Sequence, residues 1–212
     1  MTDLLNPNES TESETPVGIS RDKAPEPELS ANPITGDRYW SPAFAEKEWS
    51  SLWPRVWQVA GRTDQIPNEG DYVTYDIGRD SVIAVRGADT QVRVFYNVCQ
   101  HRGNQLVTAE VGSLAGRDFA CAYHGWQFGV DGRLNFVPDE DDFANGSPCG
   151  VRNLVEIQSD TWGGFIWFNM DDDAAPLRDW LDPVADQLDA YRMHDMKRTH
   201  WVTIVGDWNW KC

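Results

Sequence analysis

Two short stretches hold the side chains best able to do chemistry: Cys99-Gln-His101-Arg-Gly103 and Cys121-Ala-Tyr-His124-Gly-Trp126. Each offers one thiol and one imidazole, and nineteen residues lie between His101 and Cys121. Thiolate sulfur and neutral imidazole nitrogen are metal ligands, so Cys99, His101, Cys121 and His124 form a candidate ligand set. One residue separates cysteine from histidine in the first stretch and two do so in the second. A glycine follows in both, which lets the backbone fold back beneath a bound metal. Two such half-sites on neighbouring loops suit a binuclear centre. A [2Fe–2S] cluster can take two cysteines on one iron and two histidines on the other.

Structural zinc is the competing metal, because four Cys/His residues can hold it. Zinc motifs usually pair like with like, as Cys-x2-Cys and His-x3-His. The mixed order in both stretches argues against zinc. Four unrelated buried residues are the second alternative. That requires half of the chain's four cysteines and half of its four histidines to fall into these stretches by chance.

Ligand loops need rigid elements to feed them. Ser41-Pro42 opens a helix, with serine as N-cap and proline in the first turn. Phe44, Glu48, Trp49, Leu52 and Trp53 follow at helical spacing until Pro54, and their stripe reads as core packing. From Val56 the period changes to two. Val56–Ala60, Tyr72–Tyr75, Val82–Val85 and Val92–Tyr96 read as strands, the last running into Cys99. Phe119–Cys121 leads into the second stretch and Trp126–Val130 leaves it. Asp131-Gly132 predicts a type I′ hairpin returning through Arg133–Phe136. Leu154–Ile157 and Gly164–Phe168 complete a mainly β, antiparallel sandwich with both ligand loops at one tip. Asp139–Asp142 lacks the ligand spacing of a calcium loop and reads as solvated. Leu177–Tyr191 predicts one helix with Leu177, Leu181, Val184 and Leu188 on a single face.

The pattern Cys-x-His-x19-Cys-x2-His, with His-Arg-Gly in the first loop and Tyr-His-Gly-Trp in the second, resembles the Rieske cluster signature. It resembles the version in the large (alpha) subunits of aromatic ring-hydroxylating oxygenases. The resemblance implies a Rieske-type β-sandwich in which Cys99 and Cys121 bind the buried iron and His101 and His124 the outer one. Respiratory members link their loops by a disulfide; Asn104 and Tyr123 stand at those places here, which fits the oxygenase and ferredoxin branch. The implied reaction starts with electrons from a reductase or ferredoxin. It ends at a mononuclear non-haem Fe(II), in the neighbouring subunit of a homotrimer, where O2 is activated to hydroxylate a small organic substrate. Asn209-Trp210-Lys211 resembles the motif just inside the catalytic domain of that family. The Fe(II) site, two histidines and a carboxylate, is therefore expected in a missing C-terminal domain, and no catalytic residue is assigned in this chain. The competing function is a stand-alone Rieske-type ferredoxin.

Composition bounds the rest. Of 212 residues 41% are hydrophobic and 12% aromatic, enough for a full domain and part of another. A net charge of −16 disfavours nucleic acid and anionic membranes. Without an apolar run of about eighteen residues or a leader, the expectation is a cytoplasmic protein with no membrane span. Residues 1–37, rich in Glu, Ser, Pro and Asn, are expected to form a disordered acidic tail. An N-terminal helix over 38–55 and a Rieske [2Fe–2S] domain over 56–170 follow. Residues 171–212 are expected to open an incomplete α+β catalytic domain. His194 and His200 precede the Asn-Trp-Lys motif and are read as surface or structural residues; Cys149 and Cys212 suggest no disulfide framework.

Overall fold

A computed structural model describes residues 33–200 and 202–204. The acidic tail expected over 1–37 falls mostly outside them, as does the Asn209-Trp210-Lys211 motif. Residues 202–204 carry no regular structure, and Val202 and Ile204 are exposed.

Helix α1 (Pro42–Ser51) forms where the cap signal puts it. Ser41 is extended, and its Oγ accepts the Phe44 N–H at 3.4 Å, satisfying one of the donors that a helix start leaves free. A 3-10 turn, Trp53–Arg55, carries Pro54 past the helix end. No residue of α1 is fully buried. Trp49 packs on the sheet, while Leu52 and Trp53 stay about two-fifths exposed, so the aromatic stripe serves the core only in part.

Ten strands follow: β1 (Gln58–Arg62), β2 (Asp71–Ile77), β3 (Asp80–Arg86), β4 (Val92–Tyr96), β5 (Val111–Ser113), β6 (Phe119–Ala120), β7 (Gln127–Phe128), β8 (Leu134–Phe136), β9 (Glu156–Trp162) and β10 (Phe165–Asn169). They form two antiparallel sheets, one ordered β1-β10-β9-β4-β3-β2-β5 and a small one ordered β6-β7-β8. Strand β3 shows why the chain builds two layers. Successive side chains of a strand point to opposite faces. Ile83 and Val85 join Tyr72, Phe95 and the small sheet's Phe119, Phe128 and Leu134 in one core. Val82 and Ala84 join Val73, Ile77, Val94, Ile157, Ile166 and Phe168 in another. A strand buried on both faces has no polar alternation, hence the continuous apolar run Val82–Val85.

The structure corrects three expectations. The hairpin before β8 is not type I′, which needs positive φ at both central residues. Gly132 alone has it, at φ 78°, and the Gly132 N–H donates to the Gly129 carbonyl at 2.9 Å. This is a type I turn closed by a left-handed glycine. A Cβ on Gly132 would lie 2.5 Å from the Phe95 ring, so packing also demands glycine there. Strand β9 begins at Glu156 and runs through Gln158-Ser-Asp-Thr161, whose mixed polarity hid it; Leu154 is buried from the loop before it. The single helix expected from Leu177 is two, α2 (Leu177–Leu181) and α3 (Val184–Asp189), because Pro183 has no N–H to continue a helix. The buried face is Leu177, Leu181 and Ala185, while Val184 is exposed.

That face closes a third cluster with Trp57, Trp162 and Trp167. The Trp57 indole N–H donates to the Ala175 carbonyl at 3.0 Å. Burying a leucine such as Leu177 contributes about 2 kcal/mol, so α2 and α3 are fastened to the β-sandwich.

Candidate metal centre

The first ligand loop leaves β4 and is pinned at its root by Asn97, a polar residue only 3% exposed. Its Oδ1 accepts the N–H groups of Leu106 and Val107, each at 3.1 Å. Its Nδ2 donates to the Val107 carbonyl at 2.8 Å and to Ser81 Oγ at 3.1 Å. A buried amide with every group paired fixes geometry, and removing it would strand several partners. Asn97 therefore ties both ends of the loop to the strand hairpin beneath. The sequence reading missed it; an asparagine in the otherwise apolar run into Cys99 was the available signal.

Both loops then fold alike. The Cys99 N–H donates to the Asn104 carbonyl at 2.8 Å, and the Gly103 N–H returns to the Cys99 carbonyl at 2.9 Å. In the second loop the Cys121 N–H donates to the Trp126 carbonyl at 2.8 Å, and the Gly125 N–H to the Cys121 carbonyl at 3.0 Å. Gly103 and Gly125 both take positive φ, 73° and 71°, which only glycine adopts without cost. The Cys99 sulfur accepts the backbone N–H groups of His101 and Arg102, and the Cys121 sulfur those of Tyr123 and His124.

The four expected ligands meet in two pairs, cysteine with cysteine and histidine with histidine. Cys99 and Cys121 are buried, free, and hydrogen-bonded to each other through their side chains. The His101 and His124 rings lie edge to face with centroids 4.6 Å apart. His101 also stacks on Trp126 at 4.9 Å, nearly parallel, and Tyr123 leans on His124 at 3.7 Å. Burial raises both thiols. It prevails at Cys99, whereas at Cys121 the N–H groups, the Cys99 thiol and Asn104 together hold the thiol below its ordinary value. Burial first, then His124, Arg102 and Arg152, hold His101 below the usual imidazole range, which favours the neutral ring.

A bound metal group can be tested against one atom. His101 Nδ1 is buried and has no hydrogen-bond partner. Such an orphan costs about 1–3 kcal/mol and calls for an explanation. Metal coordination would satisfy it, and a pair of thiols beside a pair of imidazoles is the donor set of a two-iron cluster. Among the described residues no three His, Cys, Asp or Glu side chains converge as they would on a single ion. His194 lies in the 3-10 turn Met193–Asp195, exposed, with Nε2 3.5 Å from Asp195; His200 is exposed beside Thr199.

Residues 56–154, which contain both loops, match the family described as "Rieske [2Fe-2S] domain". The chain is similar to the oxygenase subunit of glycine betaine monooxygenase from Pseudomonas aeruginosa, 33% identical over 175 residues, 82% of this chain and 39% of that one. It is similar to the large oxygenase component of the naphthalene 1,2-dioxygenase system from Pseudomonas putida, 38% identical over 153 residues, 70% of this chain and 33% of the relative. Among solved structures it resembles the apo form of a quaternary ammonium Rieske monooxygenase, CntA, with TM-score 0.67 and 28% identity over 72% of this chain and 44% of that one. The chain thus spans about two-fifths or less of the two oxygenase relatives' length. No helix among the described residues is long and apolar enough to cross a membrane.

Proposed function

We propose that Cys99, His101, Cys121 and His124 hold a [2Fe–2S] cluster, the cysteines on the inner iron and the histidines on the outer, and that the chain is the electron-transfer portion of a Rieske non-haem iron oxygenase. The single observation that carries this reading is the meeting of the two loops, which pairs two buried thiols, pairs two imidazoles and leaves His101 Nδ1 buried without a partner. Such a cluster, when bound, takes up and releases one electron at a time. The chain's own residues supply the rest. Asn97 and the left-handed glycines hold the ligands in place before any metal arrives, so ordering them costs little on binding. Trp126 and Tyr123 clamp the imidazoles against rotation. The histidines, half-buried where the cysteines are buried, are the ligands nearest the surface and form the edge at which electrons would arrive and leave.

The wider reading follows the relatives. A reductase or ferredoxin would supply electrons. A mononuclear iron, bound by two histidines and a carboxylate in sequence following Asn209-Trp210-Lys211, would use them to hydroxylate a small organic substrate. The assembly would be a homotrimer, in the cytoplasm, with residues 171–212 leading into the catalytic domain. Resemblance to oxygenase subunits over four-fifths of this chain favours that reading over a lone electron carrier. The test is to read the gene beyond the Cys212 codon. A run with two histidines and a carboxylate, in a reading frame continuing for another domain, is expected. A stop codon at that point would make the electron carrier the better reading.

A further inference from the structure

Asn104 touches both cysteines. Its carbonyl accepts the Cys99 N–H at 2.8 Å and closes the first loop. Its side-chain amide reaches across to the second loop and donates to Cys121 Sγ at 3.8 Å, within hydrogen-bonding reach of sulfur. The other hydrogen of that amide goes to the Gln105 carbonyl at 2.8 Å, which holds the group in this orientation. The surroundings are apolar: Cys121 is 4% exposed and shares its core with Leu106, Phe119 and Trp126. The loops treat their sulfurs alike, giving each the N–H groups of the second and third residues after it. Asn104 breaks that equality by adding a side-chain donor to Cys121.

We propose that Asn104 is a positioning residue for the cluster, strapping the two ligand loops together and raising the cluster's reduction potential through its hydrogen bond to Cys121 Sγ. This rests on the ligand assignment above. Reduction adds one electron to the iron–sulfur unit, and part of the added negative charge falls on the cysteine sulfurs. A fixed N–H donor stabilises the electron-rich state more than the oxidised one, so the potential rises. The sulfur end of that bond is buried, so the preference is less screened there than in water. A strap made by a side chain also lets the loops separate during cluster insertion, as a covalent link would not.

The experiment uses the whole chain loaded with iron and sulfide. Asn104→Leu keeps the bulk and the carbonyl that binds Cys99 but removes the donor. Asn104→Asp keeps the shape and sets a carboxylate against the sulfur. The midpoint potential should fall from the parent to Asn104→Leu and fall further in Asn104→Asp, and both variants should lose colour to a chelator faster. A potential identical in parent and Asn104→Leu overturns the proposal, because a purely architectural role would lower the melting temperature and leave the potential alone. If neither variant holds a cluster, the parent still decides by NMR. The Asn104 side-chain N–H protons should be shifted or broadened by the paramagnetic cluster and slow to exchange; a sharp, ordinary, fast-exchanging pair overturns it. A parent that binds no cluster at all would instead remove the ligand assignment, and this inference with it.

Discussion

The loops at Cys99 and Cys121 are two copies of one backbone device carrying different side-chain patterns. In both, the cysteine N–H bonds to the carbonyl five residues on, and a left-handed glycine four residues on returns its N–H to the cysteine carbonyl. The histidine does not repeat. It stands two residues after Cys99 but three after Cys121. The half-turn is therefore set by the cysteine and glycine, and the offset histidines bring the two rings edge to face rather than stacked. The loops also differ in support. Asn97 roots the first to Ser81 and to Leu106–Val107, whereas the second sits between the short strands β6 and β7, which pair through Phe119↔Phe128 and Ala120↔Gln127. One loop is held by a buried side chain and the other by a strand ladder.

The largest effects come from the ligands, where that difference should not matter. Cys99→Ser and Cys121→Ser should each abolish the iron–sulfur absorption, measured after reconstitution, because hard oxygen is a poor replacement for thiolate sulfur. Full colour in either variant would remove that cysteine from the ligand set.

The support itself separates the loops next. Asn97→Ala strands the buried N–H groups of Leu106 and Val107, each worth about 1–3 kcal/mol. Denaturant unfolding should show a loss of about 2–5 kcal/mol, and hydrogen exchange should open residues around 99–107 while those around 121–126 stay protected. Equal loosening of both loops would show that they stand or fall together.

The shared device predicts a smaller, matched pair of effects. Alanine at Gly103 or Gly125 meets no close contact, the nearest heavy atoms lying at 3.9 Å and 3.5 Å. The cost is then the left-handed conformation alone, about 1–2 kcal/mol for each. A several-fold larger penalty at one glycine would break the equivalence.

The smallest expected effect lies outside both loops and serves as a control. Hydrogen bonding to Arg93 lowers the Asp89 carboxyl from 3.8 to about 2. A depressed carboxylate stabilises the fold above pH 3.8, and the contribution is lost as pH falls toward 2. Acid unfolding of Asp89→Asn should show a shallower slope between those values, with the cluster spectrum at neutral pH unchanged. A changed spectrum would mean that Asp89 reaches the metal centre.

Much of this was legible in the chain. The two Cys/His loops were, because their spacing is local and the glycines beside them need no tertiary context. So were α1, through Ser41-Pro42, and β2 to β4, through their apolar runs. What escaped depends on contacts between distant residues. Val111-Gly-Ser113 becomes β5 only because β2 offers it a free edge, Asp71↔Ser113 through Val73↔Val111. Asn97 reads as an ordinary polar residue until Ser81 and Val107 surround it. The Asn104 bond to sulfur crosses between loops seventeen residues apart. Pro183 is a different case: its lack of an N–H was visible in the sequence, and it ends α2 as elementary chemistry requires.

The most direct test of the central claim is EPR of the reduced, reconstituted chain grown with 15N-histidine, read beside its iron and sulfide content. Two irons and two inorganic sulfides per chain are expected. The signal should carry nitrogen couplings that change on labelling, and His101→Ala or His124→Ala should each remove a share of them. A colourless protein holding zinc, or a cluster whose signal shows no histidine nitrogen, would contradict the assignment of His101 and His124 to the outer iron.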